Sequence, residues 1–397
     1  MKKLIKIMVV LIILIIGIVT KNIYEDYRIK HAKIIVETID NLDIEVYSEV
    51  KLKDLIKNIN GKLIKNEKIN TEKIGKREII FKYINDENIK VEYSFEINVV
   101  DTVPPFIGNI KNINVNKGEE INLESRFFYG DNYDNKPKYE VIGEYNTDEL
   151  GDYNLVFKVI DSSENISENE FILHVINPVK KSNTTVPTKT YYKDIIEKHK
   201  NENTKIGIDV SKWQGDIDFK KVKEAGVEFA YIRVGLQKGR NGKYELDTKF
   251  NQNIEGFQKE NIPVGIYFAS YADSEKEAEN QAKWVVKKLK NYKADLPIVF
   301  DWEDWGSFKE YKLSFYKLTQ MANKYIEVLK QNGYQGMLYS SKYYLENIWY
   351  KPDSFNVWLA HYTDQTNYSG KYKLWQLCDD GIINGIKGNV DIDVMYN

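Results

Sequence analysis

Three carboxylates fall within four positions where an apolar run stops: "PIVFDWEDW", Pro297 to Trp305, carries Asp301, Glu303 and Asp304. Ile298 to Phe300 suit a buried strand, and a buried strand does not end in like charges unless something uses them. Side chains alternate along a strand, so Asp301 and Glu303 share one face and Trp302 takes the other. Strand rise alone sets their Cα atoms about 6.5–7 Å apart. Two carboxyls that close do not both ionise freely, which leaves one protonated acid and one ionised group. That is the pairing glycoside hydrolysis needs. By residue type alone, a solvated loop just after the strand is the alternative. Asp209 in "GIDVS" and Asp391 in "GNVDID" are further acids set at apolar strands.

Other chemistries lack their equipment. His31, His174, His199 and His361 are scattered without zinc spacing, and the single Cys378 rules out an internal disulfide. No Ser-His-Asp set, Cys-His dyad or Gly-rich phosphate loop is evident. The net charge of −2, from 57 basic and 59 acidic residues, gives no support for a nucleic-acid partner. No metal or organic cofactor is implied.

The acids need a scaffold, and the last half of the chain supplies the pattern of one. Apolar strands at 206–211, 229–235, 263–272 and 296–303 alternate with amphipathic helices. One helix is expected from Ser274 to Tyr292, opened by the capping box Ser274-x-x-Glu277. Another runs from Phe315 to Asn332 and stops at Gly333. Later strands at 336–341, 356–363, 372–377 and 390–396 follow connections too short for full helices. Strand–helix alternation implies a mostly parallel sheet. Eight strands suggest a (β/α)-type barrel with some helices missing in its second half, and chemistry in such barrels sits at the C-terminal strand ends.

The preceding residues differ in kind. Sliding the chain by 76 residues lays "INTEKIGKREIIFKYI" (69–84) on "YNTDELGDYNLVFKVI" (145–160), a tandem repeat with strand periodicity. The fold class is therefore multidomain: all-β sandwich repeats at 30–100 and 101–177, a linker at 178–203, and an α/β barrel at 204–397. "DTVPPFIG" marks the junction between the repeats, and Asp131, Asp134 and Asn135 read as polar turn chemistry in preference to a calcium site. At the start, Lys2, Lys3 and Lys6 precede an apolar run, so residues 1–25 read as a membrane anchor or a secretory signal. No small-residue cleavage site follows, which favours an uncleaved single-pass anchor with the later domains outside the cell membrane.

"GIDVSKWQGDIDF", "FAYIRVG", "PVGIYFAS", "PIVFDWE", "VWLAHY", "LWQL" and "GNVDID", in that order, resemble the glycoside hydrolase family 25 lysozymes. The resemblance spans the whole 204–397 block. It implies a muramidase that cuts the β-1,4 bond between N-acetylmuramic acid and N-acetylglucosamine in peptidoglycan. It further implies Glu303 as general acid, Asp301 orienting the substrate's acetamido group, and Asp209 and Asp391 as the remaining active-site acids. Tyr267 would line the cleft. Asp393 stands where the family often has asparagine. Among the aromatic residues available to stack on sugars (Trp213, Trp302, Trp305, Trp358, Trp375, Tyr362), Trp302 should point away, while Trp358 and Trp375-Gln376 are expected in the cleft. Residues 101–177, and more weakly 30–100, resemble bacterial immunoglobulin-like repeats. The rival reading is a non-catalytic cell-wall-binding surface protein.

Overall fold

The computed structural model describes residues 2–108, 110–178 and 189–397. The expected linker therefore falls partly outside the described residues. The chain divides into two compact units, Met1–Val103 and Pro104–Asn397.

The first unit begins with the helix Lys2–Lys30. Its segment Ile5–Lys30 has a mean hydropathy of 2.4 and buries none of its window, so it is long and apolar enough to cross a bilayer. A signal sequence has the same character. The unit also holds a four-stranded sheet containing the hairpin Gly75–Asn85 and Lys90–Val100. The second unit contains a matching hairpin, Gly151–Ile160 and Ile166–Ile176. The two turns are built alike. Asn85 Oδ1 accepts the backbone N–H groups of Glu87 and Ile89, and Asp161 Oδ1 accepts those of Ser163 and Asn165. Asn88 (φ 59°) and Glu164 (φ 67°) take the left-handed position of each turn.

In the second unit, that hairpin lies in a four-stranded sheet with Ile113–Asn116 and Lys138–Ile142, beside the short pair Phe106–Ile107 and Tyr129–Gly130. Alternate residues Leu155, Phe157 and Val159 are buried and pack with Phe127, Phe171 and Leu173. Asp131 Oδ2 accepts from Tyr133 and Asp134 N–H, and Asp134 Oδ1 from Lys136 N–H, which are turn-forming bonds.

Eight strands then close a barrel: β1 (Thr204–Val210), β2 (Ala230–Gln237), β3 (Val264–Ser270), β4 (Ile298–Trp302), β5 (Gly336–Ser341), β6 (Val357–Ala360), β7 (Leu374–Ile382) and β8 (Val390–Tyr396). Neighbours from β1 to β7 run parallel, and β8 closes the ring antiparallel to both β1 and β7. Helices α1 (Phe219–Glu224), α2 (Phe250–Lys259), α3 (Glu275–Lys288), α4 (Phe315–Gln331) and α5 (Lys342–Asn347) fill the first five connections. Among the described residues no helix follows β6 or β7, and a short return reverses β8. Ser274 caps α3 by accepting the Glu277 N–H, and Gly333 (φ 82°) follows α4.

Alternation sorts each strand into two layers. Tyr231, Val299, Met337, Tyr339, Trp358 and Leu374 fill the barrel interior. Ile232, Phe268, Phe300, Leu338 and Ile392 face outward, into the layer between strands and helices. Each such buried side chain is worth about 1.5–3 kcal/mol of transfer free energy. The interior ends in polar residues at one mouth. Away from that mouth, near the start of β3, Gly265 is required because a Cβ would collide with the Tyr231 ring.

Candidate active site

The apolar strands deliver their acids to that mouth. A cavity of about 300 Å³ is lined by Asp209, Arg233, Tyr267, Asp301, Glu303, Tyr339, Trp358, Tyr362, Gln376, Asp379 and Asp391, with Ser211, Trp213, Gln214 and Ala269. Asp301 is the inward residue next to the end of β4, between Ala269 of β3 and Tyr339 of β5. Glu303 follows the last residue of β4 and opens into the cleft. Asp209 of β1 stands directly opposite Asp391 of β8 in the antiparallel register.

The two pairs are held differently. Asp301 and Glu303 stand close enough that each shifts the other's titration. Burial and the Glu303 charge push Asp301 well above the usual carboxylate range, with the Arg233 charge opposing. Burial and the Asp391 charge raise Glu303. Asp301 is only 7% exposed whereas Glu303 opens to the cleft, so burial favours the neutral form more at Asp301.

Asp209 and Asp391 likewise shift one another's titration. Asp209 is raised well above its ordinary value by burial and by the charges of Asp391 and Asp393. Gln376 Nε2 opposes this by donating to Asp209 Oδ2 at 2.7 Å. Gln376 is fixed in turn, because its Oε1 accepts from Tyr339 (2.8 Å) and Tyr362 (3.0 Å) hydroxyls. Burial, aided by the Asp379 charge, pushes Asp391 up to about 6. Asp393 lies one inward position deeper, opposite Gly207, and accepts from Trp358 Nε1 at 2.9 Å.

Of the expected sugar-contacting residues, Tyr267, Trp358 and Gln376 line the cavity with the four acids. Trp375 does not, and here the expectation is corrected. It neighbours Gln376 on β7, so alternation turns it into the outer layer, where Nε1 donates to His361 O at 2.8 Å and the ring meets His199 edge-on. Trp302 also points outward, donating to Ala272 O. Trp305 is buried against Tyr344, whereas Trp213 stands 75% exposed at the cleft rim.

Sequence reasoning missed Arg233 and Asp247. Among the described residues, Arg233 is the cavity's lone basic residue, and its Nε donates to the buried Asp247 at 2.8 Å. Asp247 also accepts the Lys212 N–H, which ties the Trp213 turn to the same anchor. A charge inside the apolar run "FAYIRVG" was the available signal for Arg233; Asp247 had none, because it lies in a loop.

Against known families, the model for glycosyl hydrolases family 25 matches residues 208–386. This chain carries a family 25 glycosyl hydrolase domain. The matched segment stops short of Asp391 and Asp393, whose place in the family 25 cleft comes from barrel closure. Related sequences include an uncharacterized protein, YegX, of Escherichia coli K12, 28% identical over 192 residues that cover 47% of this chain and 68% of the relative. The autolytic lysozyme of Clostridium acetobutylicum is 25% identical over 190 residues, 47% of this chain and 54% of that protein. Among solved structures, the modular autolysin LytC of Streptococcus pneumoniae, in complex with a synthetic peptidoglycan ligand, aligns with 26% identity and a TM-score of 0.45. That alignment covers 61% of this chain and 56% of the autolysin, so the chain spans about half the length of this relative and of the clostridial one.

Proposed function

We propose that the family 25 domain is a muramidase, hydrolysing the β-1,4 bond between N-acetylmuramic acid and N-acetylglucosamine of peptidoglycan. The reading is carried by Asp301 and Glu303 lining one open acidic cleft together with Asp209 and Asp391. Glu303 is the member that faces substrate, so it donates the proton to the glycosidic oxygen as the C1–O bond breaks. Loss of that proton leaves a charge on Glu303, which then accepts a proton from the incoming water. Asp301, whose buried Oδ1 has no hydrogen-bond partner among the described residues, orients the N–H of the substrate's acetamido group. The acetamido oxygen attacks C1 and forms a cyclic oxazolinium intermediate, which water opens with retained configuration. Asp209 and Asp391 form the opposite wall, with Tyr267 and Trp358 beneath the sugar faces and Gln376 holding Asp209.

The wider architecture supports a tethered enzyme: the apolar N-terminal helix anchors the chain, and the domains after it stand outside the membrane among the glycan strands. The two repeated β-modules are read as immunoglobulin-like, which places domain boundaries at 30–100, 101–177, 178–203 and 204–397. Mass spectrometry of digested peptidoglycan tests the activity. Reducing ends at muramic acid are expected; new amino termini or glucosamine ends would overturn the muramidase reading.

A further inference from the structure

The β-module that precedes the barrel is more than a neighbour of it. Phe127 and Phe128 are consecutive in an extended segment (φ −120°, ψ 136° at Phe127), so their side chains point opposite ways. Phe127 enters the module's own core against Phe157 and Phe171. Phe128 leaves it and packs among Trp305, Phe308, Phe315 and Tyr344 of the barrel, with ring centroids 5.5–6.4 Å away. Phe106 adds contacts to Phe315 and Tyr343.

Backbone bonds seal the same junction. Helix α4 starts with N–H groups that have no partner inside the helix. The Phe315 N–H donates to Asp131 O at 2.8 Å and the Tyr316 N–H to Asn132 O at 3.3 Å, so the module's loop caps the barrel's helix. Lys309 Nζ reaches Glu124 O at 3.1 Å. The fit is close: a Cβ at Gly130 would come within 2.6 Å of the Phe315 ring, and one at Gly108 within 2.9 Å of the Tyr343 hydroxyl.

The barrel residues touched are those that follow the candidate acid. The Trp305 N–H donates to Glu303 O at 2.7 Å, and the Trp305 ring stacks on Tyr344 at 3.7 Å. Phe128 closes the edge of that stack. Glu303 is beyond the last hydrogen-bonded residue of β4, so its position is set by this turn more than by the sheet.

We infer that the module at 104–177 is a built-in brace of the barrel, and that Phe128 is a positioning residue that fixes Glu303 through Trp305. The activity arm of its test rests on the muramidase reading; the exchange arm does not. Full-length Phe128→Ala, Phe128→Leu and Phe171→Leu are compared, the last loosening the module core without touching the junction. Phe128→Ala should lower kcat about tenfold with KM changed less than about twofold, since small misplacements of a reacting group are costly. The limb of the pH profile that reports the Asp301–Glu303 pair should shift, Phe128→Leu should recover most of the rate, and Phe171→Leu should leave kcat unchanged. By hydrogen-exchange mass spectrometry, Phe128→Ala should lose amide protection across residues 303–317 and Phe171→Leu should not. Unchanged protection in a folded Phe128→Ala protein would overturn the brace. Wild-type kcat in Phe128→Ala, or an equal loss in Phe171→Leu, would overturn the positioning role. If the wild-type protein cuts no glycan at all, the muramidase reading falls alone and the exchange arm still decides the brace.

Discussion

The two pairs of acids in the cleft reach it by different routes. Asp301 and Glu303 come from one strand end, two positions apart, and meet because the pleat puts alternate residues on one face. Asp209 and Asp391 come from the two ends of the domain and meet only because β8 reverses to pair with β1. The first pair is therefore local and independent of barrel closure, whereas the second exists only in the closed ring. Their neighbours differ as well. The first pair has Arg233 nearby, which favours ionisation, and the second is surrounded by Asp379 and Asp393, which oppose it.

The sharpest way to separate the pairs is to remove the proposed proton donor. Glu303→Gln should lower kcat on purified walls by about 10³-fold while leaving the fold intact, as expected for loss of general acid catalysis. Activity near wild type in turbidity assays would reverse the assignment. Asp301→Asn should cost less, about 10²-fold in kcat. The amide keeps a hydrogen bond to Glu303 but cannot orient the acetamido N–H as a carboxylate does, so added azide or formate should not restore the rate to wild type.

Asp391→Asn tests the cross-strand pair, with a loss of about tenfold in kcat. Its clearer signature is stability. Burial pushes Asp391 up to about 6, so the folded state holds its proton where the unfolded chain has lost it. Its contribution is full below the ordinary carboxylate range and is lost as pH rises through about 6. Melting temperature should therefore fall over that window in wild type and fall less in Asp391→Asn. Equal slopes in the two proteins would show that Asp391 is not the titrating group.

The smallest contrast lies on β7, where Gln376 faces the cleft and Trp375 the outer layer. Gln376→Ala should lower kcat/KM about tenfold by freeing Asp209, Tyr339 and Tyr362. Trp375→Phe should leave kcat/KM unchanged and cost about 1–2 kcal/mol of stability by denaturant unfolding. A rate loss confined to the tryptophan variant would restore it to the cleft.

The spacing of Asp301 and Glu303, the apolar strands, the cap at Ser274 and the stop at Gly333 were legible in the sequence because each depends on periodicities of two to four residues. Trp375 was misplaced although the same alternation excludes it from the face of Gln376; motif adjacency outweighed the pleat. Phe127 and Phe128 show the limit from the other side. Their alternation is readable, but nothing local says that the second ring belongs to another core. The coupling of Asp301 and Glu303 was only half legible, since spacing implies it while burial raises both groups. The amino-acid order by itself determined the strands, the helices and the acidic strand ends, since hydrophobic periodicity and capping act over one turn or one pleat. Only the tertiary structure decided that Asp209 meets Asp391, that Arg233 is held by Asp247, and that Phe128 reaches the turn after Glu303, because closure and docking are set by packing between segments distant in the chain.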